Sequence, residues 1–95
     1  MFEAKVYIPY NRWGEVKEKF RVPMEEGYTL IPAMGGWKGV EEHVYILQIL
    51  RNHARPARNI VRDIAIYLHS LGEEAVLLYC FDFSDLVSGW KIEYA

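Results

Sequence analysis

The sequence predicts an α+β domain in which an antiparallel sheet is covered on one face by a single well-defined helix. Two runs, EHVYILQILR at 42–51 and AVLLYCFDF at 75–83, are apolar on both faces, as strands in the middle of a sheet are. Between them, residues 56–71 have apolar positions at helical spacing. The chain has 95 residues, 52 % of them hydrophobic, which is enough for a single domain, residues 1–95, with its own core.

Three further segments predict strands. The first, FEAKVYIP at 2–9, alternates apolar and polar residues and so predicts a strand with one buried face. GYTLIPAM at 27–34 predicts a second strand, and the tail SGWKIEYA at 88–95 predicts a last short one. With the two central runs, these segments supply an antiparallel sheet.

Residues 15–22 fit two structures. The alternation of Val16 and Phe20 with charged neighbours is typical of a strand. The spacing of Val16, Phe20 and Met24 is also typical of a short helix that Pro23 would end. The pattern alone leaves both open.

The helix at 56–71 has clear start and stop signals. Pro56 suits the first turn, where a missing N–H is tolerated, and Gly72 follows the last apolar residue as a C-terminal stop. One apolar stripe, facing the sheet, is formed by Ala57, Ile60, Val61, Ile64, Leu68 and Leu71.

The glycine-rich stretch PAMGGWKG, at 32–39, fits a phosphate-binding loop or a bent piece of sheet. Phosphate-binding loops lead from a strand into a helix N-terminus, whereas this stretch leads from one strand into another. It therefore predicts a bulged hairpin in which Gly35 and Gly36 supply positive φ or a twist. Gly39 would allow a tight turn beside Trp37, and a ligand cradle is the alternative.

These motifs follow one another as GYTLIPAMGGWKG, EEHVYILQIL, an amphipathic helix and LGEEAVLLY. This order resembles small uncharacterised proteins of phages, archaeal viruses and bacteria, with a Gly-x-Thr strand, a Gly-x-Trp bend and a QEAVL-like last strand. The resemblance covers about residues 3–80. It implies a ferredoxin-like β-α-β-β-α-β sandwich whose first helix, at 15–22, is short or degenerate. It implies no established activity. It is compatible with a viral protein, and the setting is then the host cytoplasm.

Composition and the absence of long apolar runs indicate the compartment in which the protein is expected. The single cysteine, Cys80, excludes an internal disulfide, and its apolar neighbours predict a reduced, buried thiol and a cytoplasmic protein. The first residues lack a secretory signal, and no apolar run reaches the ~20 residues of a spanning helix, so no membrane association is expected. The low use of Gln and Thr is typical of thermophile proteins.

Basic residues cluster on the predicted helix although the net charge is −2. Four of them fall within about 60° of one another on its outer side. The cluster, with one arginine that precedes the helix, is Arg51, Arg55, Arg58, Arg62 and His69. These residues predict a stripe that binds phosphate, nucleic acid or an acidic protein surface. The alternative is a solvated face whose arginines pair with Asp82 or Asp85.

One helix, with or without a second short helix at 15–22, covers only one face of such a sheet. The aromatic and apolar residues on its other face need a second cover. A second subunit is the favoured cover, and the tail at 86–94 or a ligand or single-stranded nucleic acid are the alternatives. The sequence therefore predicts a self-associating interaction protein, a homodimer, with nucleic-acid or anion binding as the alternative.

A small enzyme with a pocket at a dimer interface is the second alternative, and the sequence favours a non-enzymatic protein. The residues that would line such a pocket or interface are Trp37, His43, Tyr45, Tyr79 and Phe81. The histidines and Cys80 lack the paired spacing of metal ligands, and Ser84 and Ser88 lack a nucleophile context. No catalytic residue, metal or cofactor is therefore assigned.

Overall fold

A computed structural model describes residues 1–74, 76–82 and 90–94, with the backbone alone at 37, 80–82 and 90–94. In chain order the elements are β1 (Phe2–Pro9), a 3-10 turn (Tyr10–Arg12), α1 (Trp13–Lys19), β2 (Thr29–Trp37), β3 (Val40–Arg51), α2 (Ala54–Ser70), β4 (Leu77–Asp82) and β5 (Trp90–Tyr94). The α+β class is confirmed, and each predicted strand is present.

The five strands form one sheet in the order β2-β3-β1-β4-β5, and every neighbouring pair is antiparallel. β1 occupies the centre, where Val6 pairs with Leu47 of β3 on one side and with Leu78 of β4 on the other. β2 and β5 are the two edges. The tail strand β5 therefore extends the sheet beside β4, and does not fold back over a sheet face as one of the predicted covers required.

Both helices lie on the same face of the sheet. Alternate residues of β1 point toward the helices and are fully buried there. Phe20, just after α1, packs edge-to-face on Tyr67 of α2 with 5.7 Å between ring centres. The core cluster consists of Ala4, Val6, Ile8, Val16, Phe20, Met24, Leu47, Ile49, Ala57, Val61, Ile64, Ala65, Leu68, Val76 and Leu78. The prediction that helix 56–71 covers one sheet face is confirmed.

The ambiguous segment forms a helix, and the strand alternative for 15–22 is wrong. α1 begins earlier, at Trp13, and ends at Lys19, four residues before Pro23. The Met24 N–H donates to the Phe20 carbonyl at 3.1 Å, which keeps helical spacing beyond the helix end. Val16, Phe20 and Met24 are consequently all buried, because their four-residue spacing brings them to one side.

The β2–β3 hairpin turns at two residues. Trp37 pairs with Val40, and Lys38 and Gly39 between them have φ values of 51° and 78°. Positive φ at both central residues matches the right-handed twist of the flanking strands, which is why two-residue hairpins favour this turn. The tight turn predicted at Gly39 is confirmed.

The bulge predicted at Gly35 and Gly36 is wrong. These residues pair in unbroken register with Glu42 and Glu41, and neither has a positive φ. A Cβ at Gly35 would lie 3.4 Å from a Val44 methyl group, which is close but ordinary contact. The two glycines are therefore regular strand residues, because the whole reversal is made by the turn that follows them.

Helix α2 begins at Ala54, two residues before the predicted start, and Pro56 lies in its first turn. It ends as predicted beside Gly72, whose φ is 101°. The Gly72 N–H donates to the His69 carbonyl at 3.0 Å, and the Glu73 N–H donates to the Leu68 carbonyl at 3.2 Å. This is a Schellman motif, in which a residue of positive φ lets the chain cap its own last carbonyls.

Arg12 joins the start of α1 to the end of α2. Its guanidinium donates to the Glu73 and Glu15 carboxylates and to the Leu71 carbonyl, each at 3.0 Å. The hydrogen bonds with Glu73 and then Glu15 raise the pKa of Arg12 further. The guanidinium thus places a positive charge at the C-terminus of α2, where the helix dipole favours one.

Candidate functional site

The sheet face opposite the helices is the first candidate site, and we call it the open face. Because side chains alternate along a strand, it carries the residues between the core positions of each strand. Its members are Glu3, Lys5, Tyr7, Thr29, Ile31, Ala33, Glu42, Val44, Ile46, Gln48, Leu50, Leu77 and Tyr79. In the part of the chain that the structure describes, no helix lies against this face.

A polar cluster of Glu3, Lys5, Gln48 and Tyr79 lies at the centre of the open face, on three neighbouring strands. Glu3 is only 8 % exposed, yet its carboxylate is fully engaged. It accepts hydrogen bonds from the Gln48 amide at 2.9 Å and from the Tyr79 hydroxyl. The Lys5 ammonium lies 3.3 Å from the same carboxylate and 5.0 Å from the centre of the Tyr79 ring.

The cluster favours Lys5 as an ammonium and Tyr79 as a neutral phenol. Burial disfavours the Lys5 ammonium, but the hydrogen bond with Tyr79 and the charge of Glu3 outweigh it, so the pKa of Lys5 is raised. Burial and the hydrogen bond to Glu3 raise the pKa of Tyr79. A phenol with a raised pKa carries even less phenolate at neutral pH, so Tyr79 is not an activated nucleophile.

Apolar side chains surround the polar cluster on the open face. Ile31 and Ile46 form a cross-strand pair, and Leu50 pairs with Glu3. Ile31 is 37 % exposed and Leu50 is 39 % exposed. The face is thus a polar centre with no net charge inside an apolar, half-exposed surround.

The predicted basic stripe divides into one buried and four exposed residues. Arg51 is 9 % exposed, and its guanidinium donates to the carbonyls of Gly27 at 3.0 Å and Pro23 at 3.1 Å. It therefore fastens the α1–β2 connection to the end of β3. The exposed residues, on the outer side of α2, are Arg55, Arg58, Arg62 and His69. Within the described residues, neither Arg55 nor Arg58 has an ion pair.

Of the residues predicted to line a pocket, the three with described side chains do not converge. His43 and Tyr45 lie on the helix side of β3, whereas Tyr79 lies on the open face. The side chains of Trp37 and Phe81 lie outside the described residues, as do those of Cys80, Asp82 and Asp85 and the serines at 84 and 88. His43 and Tyr45 instead belong to a second surface.

That second surface is a row of four aromatic rings on the helix side, which we call the aromatic row. Tyr10 stacks on Tyr45 with 5.3 Å between ring centres, and Trp13 lies 6.0 Å from both Tyr45 and Tyr28. His43 meets the outer end of the row, 6.5 Å from Tyr10. The 3-10 turn and α1 present Tyr10 and Trp13, and the sheet presents Tyr45.

One shallow groove lies at each end of the aromatic row. The first, about 340 Å³, has Tyr10 and Tyr45 as one wall and Pro32, Met34 and His43 as the other. The second, also about 340 Å³, is lined by Tyr28 at the far end of the row and by residues of α1 and the connection that follows, Lys17, Arg21, Met24, Glu25 and Gly27. Trp13 connects the two ends through its ring contacts.

Sequence reasoning missed the polar cluster and most of the aromatic row, although each left a signal. Gln48 is the single polar residue in the run VYILQIL, which is unusual for a buried strand and indicates a polar partner. Tyr10 and Trp13 lie three residues apart directly after the first strand, a spacing that brings side chains together on a helical turn. Their partner Tyr28 carried no such signal, because only the fold brings it close.

Among the described residues, no group of three or more His, Cys, Asp or Glu side chains is arranged to hold a metal ion. No helix in the described ranges combines the length and the hydropathy needed to cross a bilayer. No protein-family model matches the chain, and no curated protein matches it either.

Proposed function

We propose that this protein is a non-enzymatic interaction protein that self-associates through its open face. The observation that carries the proposal is the apolar surround of that face, with Ile31 and Leu50 each more than one third exposed. Burying exposed apolar surface is favourable. A chain of this length buries only a moderate share of its surface on folding, so burial against a second copy would add to its stability.

The charges of the open face favour a second copy of the chain as the partner. At the centre of the open face Lys5 is neutralised by Glu3 within one subunit, so two copies facing each other bring no unpaired like charges together there. A nucleic acid would instead need unpaired cations along its path, and Lys5 is the sole cation among the described side chains of the open face.

The size of the open face predicts a weak dimer. Strands about 4.8 Å apart and about six residues long, at about 3.3 Å per residue, give a five-stranded face of roughly 500 Å². Two such faces bury roughly 1,000 Å² in all, which is just below the range of stable complexes. We therefore expect a dissociation constant on the order of micromolar or weaker.

The proposal includes a ferredoxin-like assignment of the fold. The order β2-β3-β1-β4, with one helix after β1 and another after β3, supports a β-α-β-β-α-β arrangement to which β5 adds an edge strand. In such folds, the sheet face away from the helices is available for association. The viral origin, the cytoplasmic setting and the thermophile character stay predictions.

The experiment is sedimentation velocity over a range of protein concentrations, on the natural chain and on Ile31→Lys. Ile31 lies on the open face, and a lysine there places a new charge opposite an apolar surface of the second copy. We expect the substitution to weaken the dimer by about tenfold or more. Ile66→Lys is the matched control, because Ile66 is 64 % exposed on the outer side of α2.

The two variants separate an effect on association from an effect on folding. Both variants must keep the free energy of unfolding of the natural chain to within about 0.5 kcal/mol. A chain that stays monomeric at high concentration contradicts the proposal. Equal weakening by Ile31→Lys and Ile66→Lys contradicts the choice of the open face.

Anion or nucleic-acid binding by α2 is the second candidate. The observation that favours it is the exposure of Arg55 and Arg58 without an ion pair in the described part of the chain. Replacing Arg58 and Arg62 by Glu is expected to abolish nucleic-acid binding, and its salt dependence, without unfolding the protein. Unchanged binding by this double variant contradicts the candidate.

An enzyme with an interfacial pocket has less support. Of the residues named for it, His43 and Tyr45 lie on the helix side of the sheet and Tyr79 lies on the open face. The polar cluster also favours the neutral phenol of Tyr79.

A further inference from the structure

We propose that the aromatic row binds a proline-rich segment of a partner protein, in extended polyproline II conformation, with an acidic residue at the end beside α1. This surface lies on the helix side of the sheet and is separate from the open face. Proline-rich segments dock in grooves lined by aromatic rings because their conformation is already ordered before binding.

The two end rings of the row are exposed, and the rings are evenly spaced. Tyr10 is 61 % exposed and Tyr28 is 43 % exposed, which is high for aromatic side chains that contact other rings. Neighbouring rings along the row are 5.3–6.0 Å apart, close to the about 6 Å that two residues of polyproline II span. The repeat of such a segment therefore matches the spacing of the rings.

The shape of the surface suits a chain and not a compact ligand. Sites for small molecules enclose most of the ligand surface. The two grooves, of about 340 Å³ each, are shallow, and they lie at opposite ends of the row. A ligand that uses both grooves must be elongated, and one that lies across exposed tyrosine rings must be largely apolar.

The charges at the second groove predict the acidic end of the segment. Lys17 and Arg21 lie one helical turn apart and line this groove with Glu25. Within the described ranges, neither cation has an ion pair. Two cations against one carboxylate leave a positive charge, which is complementary to an acidic side chain of the partner.

A peptide fits the first groove better than a single-stranded nucleic acid does. Binding of a single strand combines stacking with cations that follow the phosphates. Among the described residues, no lysine or arginine lines the groove between Tyr10 and His43, whose lining includes Pro32 and Met34. On the same side of β3, the next alternate residue toward the turn is the exposed Glu41, which repels phosphate.

The test is NMR titration of the isotope-labelled chain with a synthetic oligoproline peptide that ends in two glutamates. We expect shifts of the Trp13 indole and of the amides near Tyr10, Tyr28 and Tyr45. Tyr10→Ala is expected to weaken binding by about tenfold. Tyr10→Phe, which keeps the ring, is expected to stay within about twofold, and Tyr7→Ala, on the open face, to leave binding unchanged.

The charge at the second groove is tested by reversing it. The double substitution Lys17→Glu and Arg21→Glu is expected to weaken binding of the peptide that ends in two glutamates. It is expected to strengthen binding of a counterpart that ends in two lysines. The proposal is overturned if neither peptide shifts residues of the row. It is overturned equally if an oligothymidine shifts those residues and the oligoprolines do not, which would assign the row to nucleic acid.

Discussion

Arg51 is expected to be among the most important polar residues for stability, and Arg51→Met tests this. Methionine keeps the length of the apolar stem and removes the guanidinium, so the substitution separates hydrogen bonding from packing. The guanidinium makes two bonds distant in sequence, to the carbonyls of Gly27 at 3.0 Å and Pro23 at 3.1 Å. Both hold the connection between α1 and β2.

The magnitude follows from these two bonds. A hydrogen bond to a charged group contributes about 1.5–3 kcal/mol. Gly27 and Pro23 are exposed, so water can replace part of each bond, and the lower end of the range applies. The ion pair with Glu26 adds little, because the Glu26 side chain is 80 % exposed. We expect Arg51→Met to lower the free energy of unfolding by about 2–3 kcal/mol.

The assay is urea unfolding followed by circular dichroism, at one fixed protein concentration because association also changes apparent stability. The matched control is Arg58→Met, at an exposed arginine on α2 that has no ion pair within the described residues. We expect this control to change stability by no more than about 0.5 kcal/mol.

Equal effects of the two substitutions would refute the reasoning. A loss below about 0.5 kcal/mol for Arg51→Met would mean that the carbonyls of the connection are equally well satisfied by water. Amide hydrogen exchange gives a second readout, because residues 20–28 are expected to exchange faster in Arg51→Met than in the control.

Two further outcomes are expected. Gly72→Ala forces a side chain into a φ of 101° at the end of α2, and we expect chemical unfolding to show a loss of about 1–2 kcal/mol. Stability is expected to fall as the pH rises above about 10, because the raised pKa values of Tyr79 and Lys5 mean that the folded state holds more protons than the unfolded state there. Thermal unfolding from pH 8 upward measures this fall, which Tyr79→Phe should reduce.

Each of these outcomes has a control. An added Cβ at Gly72 meets no atom within 4 Å, so a loss in Gly72→Ala reports backbone strain and not a clash. Gly36→Ala, at a glycine with equally open surroundings and no positive φ, should cost little. A pH dependence that is the same in Tyr79→Phe as in the natural chain would contradict the role given to the polar cluster.

The sequence was sufficient to predict α2 and the strands, because each has a local cause. The apolar spacing of α2, its Gly72 stop and the two-sided apolarity of β3 all lie within single segments. The bulge at Gly35 was predicted wrongly for the same reason: three glycines in one stretch are equally compatible with a bulge and with a regular strand before a tight turn. Only the register with β3 decides between them.

The candidate surfaces could be predicted only in part, because they depend on distant residues. Glu3, Gln48 and Tyr79 come from three strands, and only the sheet order brings them together. Arg51 was grouped with the helix arginines by position in the chain. The structure separates it from them, because its side chain turns toward the carbonyls of the preceding connection.

The position of Pro32 in edge strand β2 has a consequence for how copies of this chain can meet. A proline lacks the N–H that would donate a hydrogen bond to a neighbouring strand. In sheets, proline is therefore tolerated where its nitrogen faces solvent. Pro32 pairs with Tyr45 in the middle of β2, so the free edge lacks a donor near its midpoint. Ribbon-like growth by adding strand to strand is thereby discouraged on this side. The same residue therefore disfavours edge-to-edge association at β2 and leaves the proposed face-to-face contact unaffected.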